Sequence, residues 1–336
     1  MKRTKKPSTK TARTSSLAHA TATRATAARA ILTRTPPRRG PAPARPAHRP
    51  AARPASRHRH AASTKSRAIS GTGTLISVGG REDKEAARVI LKEIADRTGS
   101  GKLIIATVAS EVADELWADY KAIFTNLGVK SIEHLTLTQP DQARTMDVKK
   151  LFHGASTVFF TGGDQLKITT KLGGSPIIDG VFQLYRAGGT VAGTSAGAAV
   201  MGKTMLVGGE NVESHKVGNW MMAPGLGFLE NMLIDQHFAQ RGRIGRLLGA
   251  VALNPGVLGI GIDEDTAIVV EKDQFRVIGT NAVYVVDGRT VTYTNISEAS
   301  ADNTMSMHGV SLHILATGEV FNLSERIPYR LADVRV

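Results

Sequence analysis

The amino-acid sequence predicts an α/β protein with a mainly parallel central sheet, carried behind a disordered and strongly basic N-terminal tail. Two observations carry this expectation. From Gly71 onward, short β-rich runs alternate with stretches whose apolar residues recur at helical spacing. Before that point the composition is of another kind: residues 1–70 hold 18 of the 43 Lys and Arg, none of the 29 Asp and Glu, and 8 of the 13 Pro.

The tail, with runs such as PPRRGPAPARPAHRPAARPASRHRH, has too little apolar surface to offset chain entropy, so residues 1–70 are read as disordered and residues 71–336 as one domain. The formal net charge of +14 therefore misdescribes the folded part, which is mildly acidic once the tail is set aside. A tail of about 18 positive charges supports weak, salt-dependent contact with a polyanion or nucleic acid through residues 1–70, and a polyanion-binding protein is one alternative for the whole chain. The tail carries no Phe, Tyr or Trp with which to stack on bases. Its Arg-rich start resembles a transit peptide, but prolines every few residues from Pro36 to Pro54 disfavour an amphipathic helix. No apolar stretch is long enough for a secretory leader or a membrane span, so no membrane partner and a cytoplasmic location are expected. The absence of cysteine excludes disulfides and thiol nucleophiles, and no HExxH motif is present. The expected metal and cofactor content is none.

Along the ordered part, TLISVGG is read as the first strand and Lys84 to about Arg97 as a helix. KLIIATV is the second strand, Glu111–Asn126 a helix and SIEHLTL the third strand. STVFFTGG, apolar without alternation, reads as a strand buried on both faces, running into a helix at Asp164–Thr170. GGTVAGTSAGAAVMG reads as a strand, a sharp turn and a small-residue helix. Beyond residue 255, VLGIGID, TAIVVEK, FRVIGTN and AVYVVDG read as hairpin segments divided by polar turns.

The chemistry-bearing signal is Gly193-Thr194-Ser195-Ala196-Gly197, a GxSxG pattern at the junction of strand and helix. A nucleophile elbow needs that context, because the serine must sit in a strained turn at a strand's end. The Ala196 N–H is then one oxyanion donor, and Gly163 of TGGDQ is the candidate for the second, with Gln165 beside it to hold substrate. Six histidines lie outside the tail. His237, in the polar cluster DQHFAQRGR after the apolar run NMLI, is the expected base, and His215 is its competitor. For the carboxylate that orients the base, Glu264 of Asp263-Glu264-Asp265 is preferred and Glu213 is the alternative.

Taken together and in this order, GTSAGA, DQHFAQRGRIGRL and GIDEDTA, after an opening strand ending in GGREDK, resemble the cyanophycinase family over residues 71–330. The resemblance implies a flavodoxin-like three-layer sandwich related to class I glutamine amidotransferases and to aspartyl dipeptidase, usually as a homodimer. It also implies the substrate: cyanophycin, a poly-aspartate backbone bearing arginine in isopeptide linkage, cut to β-Asp-Arg dipeptides. On this resemblance Ser195 is the nucleophile, His237 the base and Glu264 the acid. A substrate with free carboxylates and guanidinium groups needs cations and anions side by side. Arg241, Arg243 and Arg246 are the expected carboxylate ligands, Asp235 and Glu213 the expected guanidinium acceptors, and Gln165 and Gln236 the neutral partners. The nearest alternative is an α-aspartyl dipeptidase or another peptidase of the same fold.

Overall fold

The computed structural model describes residues 73–208, 215–218, 220–301 and 303–330. The expected tail and Glu213 lie outside the described residues. Thr74–Val78 forms β1, buried at every position. The helix expected from Lys84 begins later, as α1 (Val89–Thr98). The cause is local: the Asp83 carboxylate accepts hydrogen bonds from the amides of Glu85, Ala86 and Arg88, at 2.8–2.9 Å. These side-chain bonds compete with helical ones and hold the segment as a loop.

Strand β2 (Lys102–Ala106), helix α2 (Ala113–Asn126) and β3 (Ser131–Leu135) fall where the periodicity places them. Two short helices, α3 (Gln142–Thr145) and α4 (Val148–Phe152), lead into β4 (Ala155–Phe160) and α5 (Gln165–Leu172). Helix α6 (Pro176–Arg186) is missing from the sequence reading although its start signal is present. Ser175 caps it by accepting from the Ile178 amide, and Pro176 opens its first turn. Strand β5 (Thr190–Thr194) ends at Ser195, and the helix after it, α7 (Ala196–Ala199), is a single turn.

The antiparallel pair β6 (Thr204–Leu206) and β7 (Met222–Pro224) precedes β8 (Met232–Gln236), α8 (Ile244–Leu253) and β9 (Leu258–Ile262). Then come β10 (Thr266–Glu271), β11 (Gln274–Gly279) and β12 (Val283–Asp287). The remaining strands are β13 (Tyr293–Thr294), β14 (Met307–His308), β15 (Ser311–Leu315), β16 (Glu319–Asn322) and β17 (Ile327–Arg330).

The central sheet has nine strands in the order β17-β16-β11-β10-β1-β5-β4-β2-β3. Its β1-β5-β4-β2-β3 part is parallel, and the rest extends it in antiparallel fashion from β1. Parallel strands connected by helices must be covered on both faces. On one face Ile90, Leu91 and Ile94 of α1 and Phe124 of α2 pack with Ile105 and Phe159. On the other, Ile177, Val181 and Leu184 of α6 pack with Phe160 and Val191.

That second face also carries a smaller sheet, β15-β12-β9-β8, whose Ile234, Ile260 and Val283 join the same core. Leu247 and Val251 of α8 cover its outer side, packing on Leu233 and Val286. The expected succession of hairpins past residue 255 is thereby corrected. Strand β10 pairs with β11, but β9 belongs to the small sheet and β10 to the large one. The turn Asp263–Asp265 is the crossing between the two sheets. Among the described residues, no helix is long and apolar enough to cross a membrane.

Candidate active site

Parallel α/β sheets offer ligands the carboxyl ends of their strands, where loops diverge to opposite faces. Here the ends of β1, β4, β5 and β8 and the β9–β10 crossing meet. Three successive carbonyls at the end of β1 tie the parts together: Val78 accepts from the Ser195 amide at 3.0 Å, Gly79 from the His237 amide at 2.8 Å, and Gly80 from the Asp265 amide at 2.9 Å.

Ser195 has φ 52° and ψ −110°, a conformation that L-residues avoid and that only a tightly determined turn sustains. The flanking glycines make that turn possible. A Cβ on Gly193 would lie 2.2 Å from the Gly197 carbonyl oxygen, and one on Gly197 would lie 2.2 Å from that of Phe160. Both neighbours are backbone and have nowhere to retreat.

From this turn the Ser195 hydroxyl reaches His237 Nε2 at 2.9 Å, and His237 Nδ1 lies 2.7 Å from Glu264 Oε1. His237 itself has φ 47° at the end of β8, and its ring lies so close to Gly80 that a Cβ there would sit 2.3 Å from Cε1. Of the three acidic residues at the crossing, only Glu264 faces the imidazole. Asp263 accepts from the amides of Ala239 and Ala282, and Asp265 accepts from the Asp83 amide and the Thr280 hydroxyl. Glu264 is steadied by its own backbone: its amide donates to Gln240 Oε1 at 3.1 Å and its carbonyl accepts from Asn281 at 2.8 Å. Arg81 Nε approaches the Glu264 carboxylate at 3.5 Å from the exposed side.

His215, the competing base, is exposed, and its carbonyl accepts from the Met305 amide. His134 is held by Thr107 and stacks on Trp117, and His313 meets the edge of Phe321.

The glycine pair after β4 lies against Ser195, since a Cβ on Gly162 would be 3.5 Å from the Ser195 Cβ. Gly163 has φ 140° and abuts the Ala109 carbonyl. The Ala196 amide opens α7 and has no acceptor within that helix. Gln165 donates to the Leu206 carbonyl at 2.8 Å, and Asp164 caps α5 by accepting from the Leu166 amide.

The basic cluster differs from its expected form. Asp235 is buried, and its carboxylate receives Arg246 through Nε at 2.6 Å and through a second guanidinium nitrogen, and Arg243 at 3.2 Å. Arg243 also donates to the carbonyl and the side-chain oxygen of Gln236, at 2.5 and 2.7 Å. Asp235, with a side chain at 0% exposure, is therefore not open to a substrate guanidinium, and Arg243 and Arg246 are not exposed carboxylate ligands. Strand β8 is buried at every position, and Arg243 and Arg246, at the start of α8, are buried with it. Arg241, in the turn ahead of α8, is exposed.

Burial, the larger influence, lowers the His237 pKa below the usual 6.5, and the Arg241 and Arg243 charges add to it; the Glu264 hydrogen bond opposes the shift. An imidazole accepts a proton only when neutral, so an activity that depends on His237 as base rises with pH through a value below 6.5 and is then level. Removing a nearby positive charge makes protonation easier. In Arg241→Gln the acid limb of the kcat/KM profile accordingly moves to higher pH than in the wild type, read from initial rates between pH 4 and 9.

A serine, an imidazole and a carboxylate linked in series, with backbone amides beside the serine, define the site of a serine hydrolase. The sequence pattern of peptidase family S51 matches residues 74–278, and the chain belongs to that family. A cyanophycinase from a Nostoc species is 39% identical over 271 residues, covering 79% of this chain and 91% of its own length. One from Geminocystis herdmanii is 37% identical, covering 76% and 95%. The crystal structure of a peptidase from an acI-B1 actinobacterium shares the fold, with a TM-score of 0.56 at 23% identity, over 75% of this chain and 97% of the other.

Proposed function

We propose that the chain hydrolyses cyanophycin to β-Asp-Arg dipeptides through an acyl-enzyme on Ser195. The observation that carries the chemistry is the continuous path from the Ser195 hydroxyl through the imidazole to Glu264, at 2.9 and 2.7 Å. The substrate rests on the cyanophycinases to which the chain is similar.

Ser195 Oγ attacks the backbone carbonyl of an aspartate residue while His237 Nε2 takes its proton. Glu264 holds the opposite face of the ring and stabilises the imidazolium. The negative oxygen of the tetrahedral intermediate takes hydrogen bonds from the Ala196 and Gly163 amides. His237 returns its proton to the leaving amine. Water, deprotonated by the same imidazole, then attacks the ester, releasing the acid and restoring the serine.

Arg241 and Gln165 are the substrate ligands that remain at the surface of the site, whereas Asp235, Gln236, Arg243 and Arg246 support the base from behind. The same reading makes the enzyme a cytoplasmic homodimer whose folded domain begins near Gly71, with residues 1–70 free to make weak polyanion contacts. Incubation of the full chain with insoluble cyanophycin releases β-Asp-Arg, detected by mass spectrometry, and leaves α-aspartyl dipeptides largely uncut. Turnover of Asp-X dipeptides with no product from the polymer would instead make it a dipeptidase of the same fold.

A further inference from the structure

Beside Ser195 lies a cavity of about 630 Å³ that the Asp235 cluster does not line. Its wall includes Arg81, Glu82, Tyr120, Gly162, Gly163 and Ser195. Glu82 is 4% exposed. Its Oε1 accepts from the Tyr120 hydroxyl at 2.5 Å and its Oε2 from the Thr194 hydroxyl at 2.6 Å. Both carboxylate oxygens are thus held by hydroxyl groups, and burial, joined by the Glu82 charge, holds the Tyr120 pKa well above 10.

Among the described residues, no Lys, Arg or His forms an ion pair with this carboxylate. The nearby cations are engaged elsewhere: Lys84 pairs with Asp119 at 3.0 Å, and Arg81 turns its Nε toward Glu264. A buried charge without a counter-ion is costly unless something completes it. A carboxylate offers about four acceptor positions, of which the two hydroxyls occupy two. The remaining pair matches the fork of a guanidinium.

We infer that Glu82 is the anionic base of a subsite that takes the arginine guanidinium of the substrate, on a different side of Ser195 from the Asp235 cluster. This rests on the substrate reading above and names the residue that would make arginine, rather than chain length or backbone, the recognised feature. Thr194 precedes the nucleophile directly, so a guanidinium seated on Glu82 also fixes the distance between the substrate's side chain and the attacking hydroxyl.

The test compares two synthetic polymers: aspartate backbones bearing arginine, or bearing citrulline, whose urea is neutral and nearly the same shape. The wild type favours the arginine polymer, and Glu82→Gln loses about 30-fold or more in kcat/KM on it, mainly through KM, while changing little on the citrulline polymer. An equal loss on both polymers would assign Glu82 a structural role and overturn the inference, as would no loss on either. A wild type that cuts neither polymer would remove the substrate reading, and this inference with it.

A second measurement is independent of how the variant folds. In crystals of Ser195→Ala soaked with a short β-Asp-Arg oligomer, a guanidinium lies within hydrogen-bond distance of Glu82. Guanidinium groups found only in solvent or at Arg241 would refute the assignment.

Discussion

Ser195→Ala releases β-Asp-Arg at least about 10⁴-fold more slowly than the wild type, with its melting temperature little changed. In the proposed mechanism this hydroxyl forms the ester, and among the described residues it is the side chain that stands 2.9 Å from His237 Nε2. Its removal deletes one small polar group from a half-buried turn and leaves the backbone bond from residue 195 to Val78 in place. His237→Ala has a comparable effect. In the proposed mechanism Ser195 and His237 act as a unit, so the double variant is hardly slower than either single one. Rates measured on soluble oligomers with matched melting curves check all three. A Ser195→Ala enzyme retaining wild-type turnover would refute the acyl-enzyme.

Asp235→Ala destabilises the fold by about 3–5 kcal/mol, since it removes the carboxylate that two buried guanidinium groups share. In a domain of this size that lowers the melting temperature by about 10 °C or more. Arg243 already feels its surroundings: burial brings its pKa down from 12.5 to about 10, and the neighbouring Arg246 and Arg241 charges add to the effect, against the pull of Asp235. Without Asp235 that pull is lost while the repulsions remain. Calorimetry of the purified variant decides the point. A melting temperature within a degree or two of the wild type would mean that Asp235 is a substrate ligand instead, in which case KM and not stability would carry the loss.

The sequence made the parallel half of the sheet and the Ser195 elbow legible because both rest on local patterns: an apolar run, then glycines at fixed offsets. Helix α6 left the same kind of trace in Ser175–Pro176, and that trace was readable. The small sheet was not, because strands from β8 to β15 look alike whichever sheet they join, and the choice is made by distant packing partners. The same limit applies to the acid. Asp263, Glu264 and Asp265 are chemically similar neighbours, and what separates them is the direction each faces at the crossing between sheets. Asp235, Arg243 and Arg246 misled in the opposite sense: charged residues near a candidate base suggest an exposed binding surface, and their burial depends on the packing around β8 and the start of α8. Glu82 left no local signal, since its significance comes from Tyr120 and Thr194, 38 and 112 positions away along the chain.

Val78, Gly79 and Gly80 offer their carbonyls in turn to the amides of Ser195, His237 and Asp265. Ser195, His237 and the loop that carries Glu264 thus hang from one short peg, although they are far apart in the chain. A thermal displacement of that peg carries all of them along, so their mutual spacing is preserved while the surrounding loops fluctuate. Fraying of the peg would instead release all of them together, so that catalytic competence is lost as a single event.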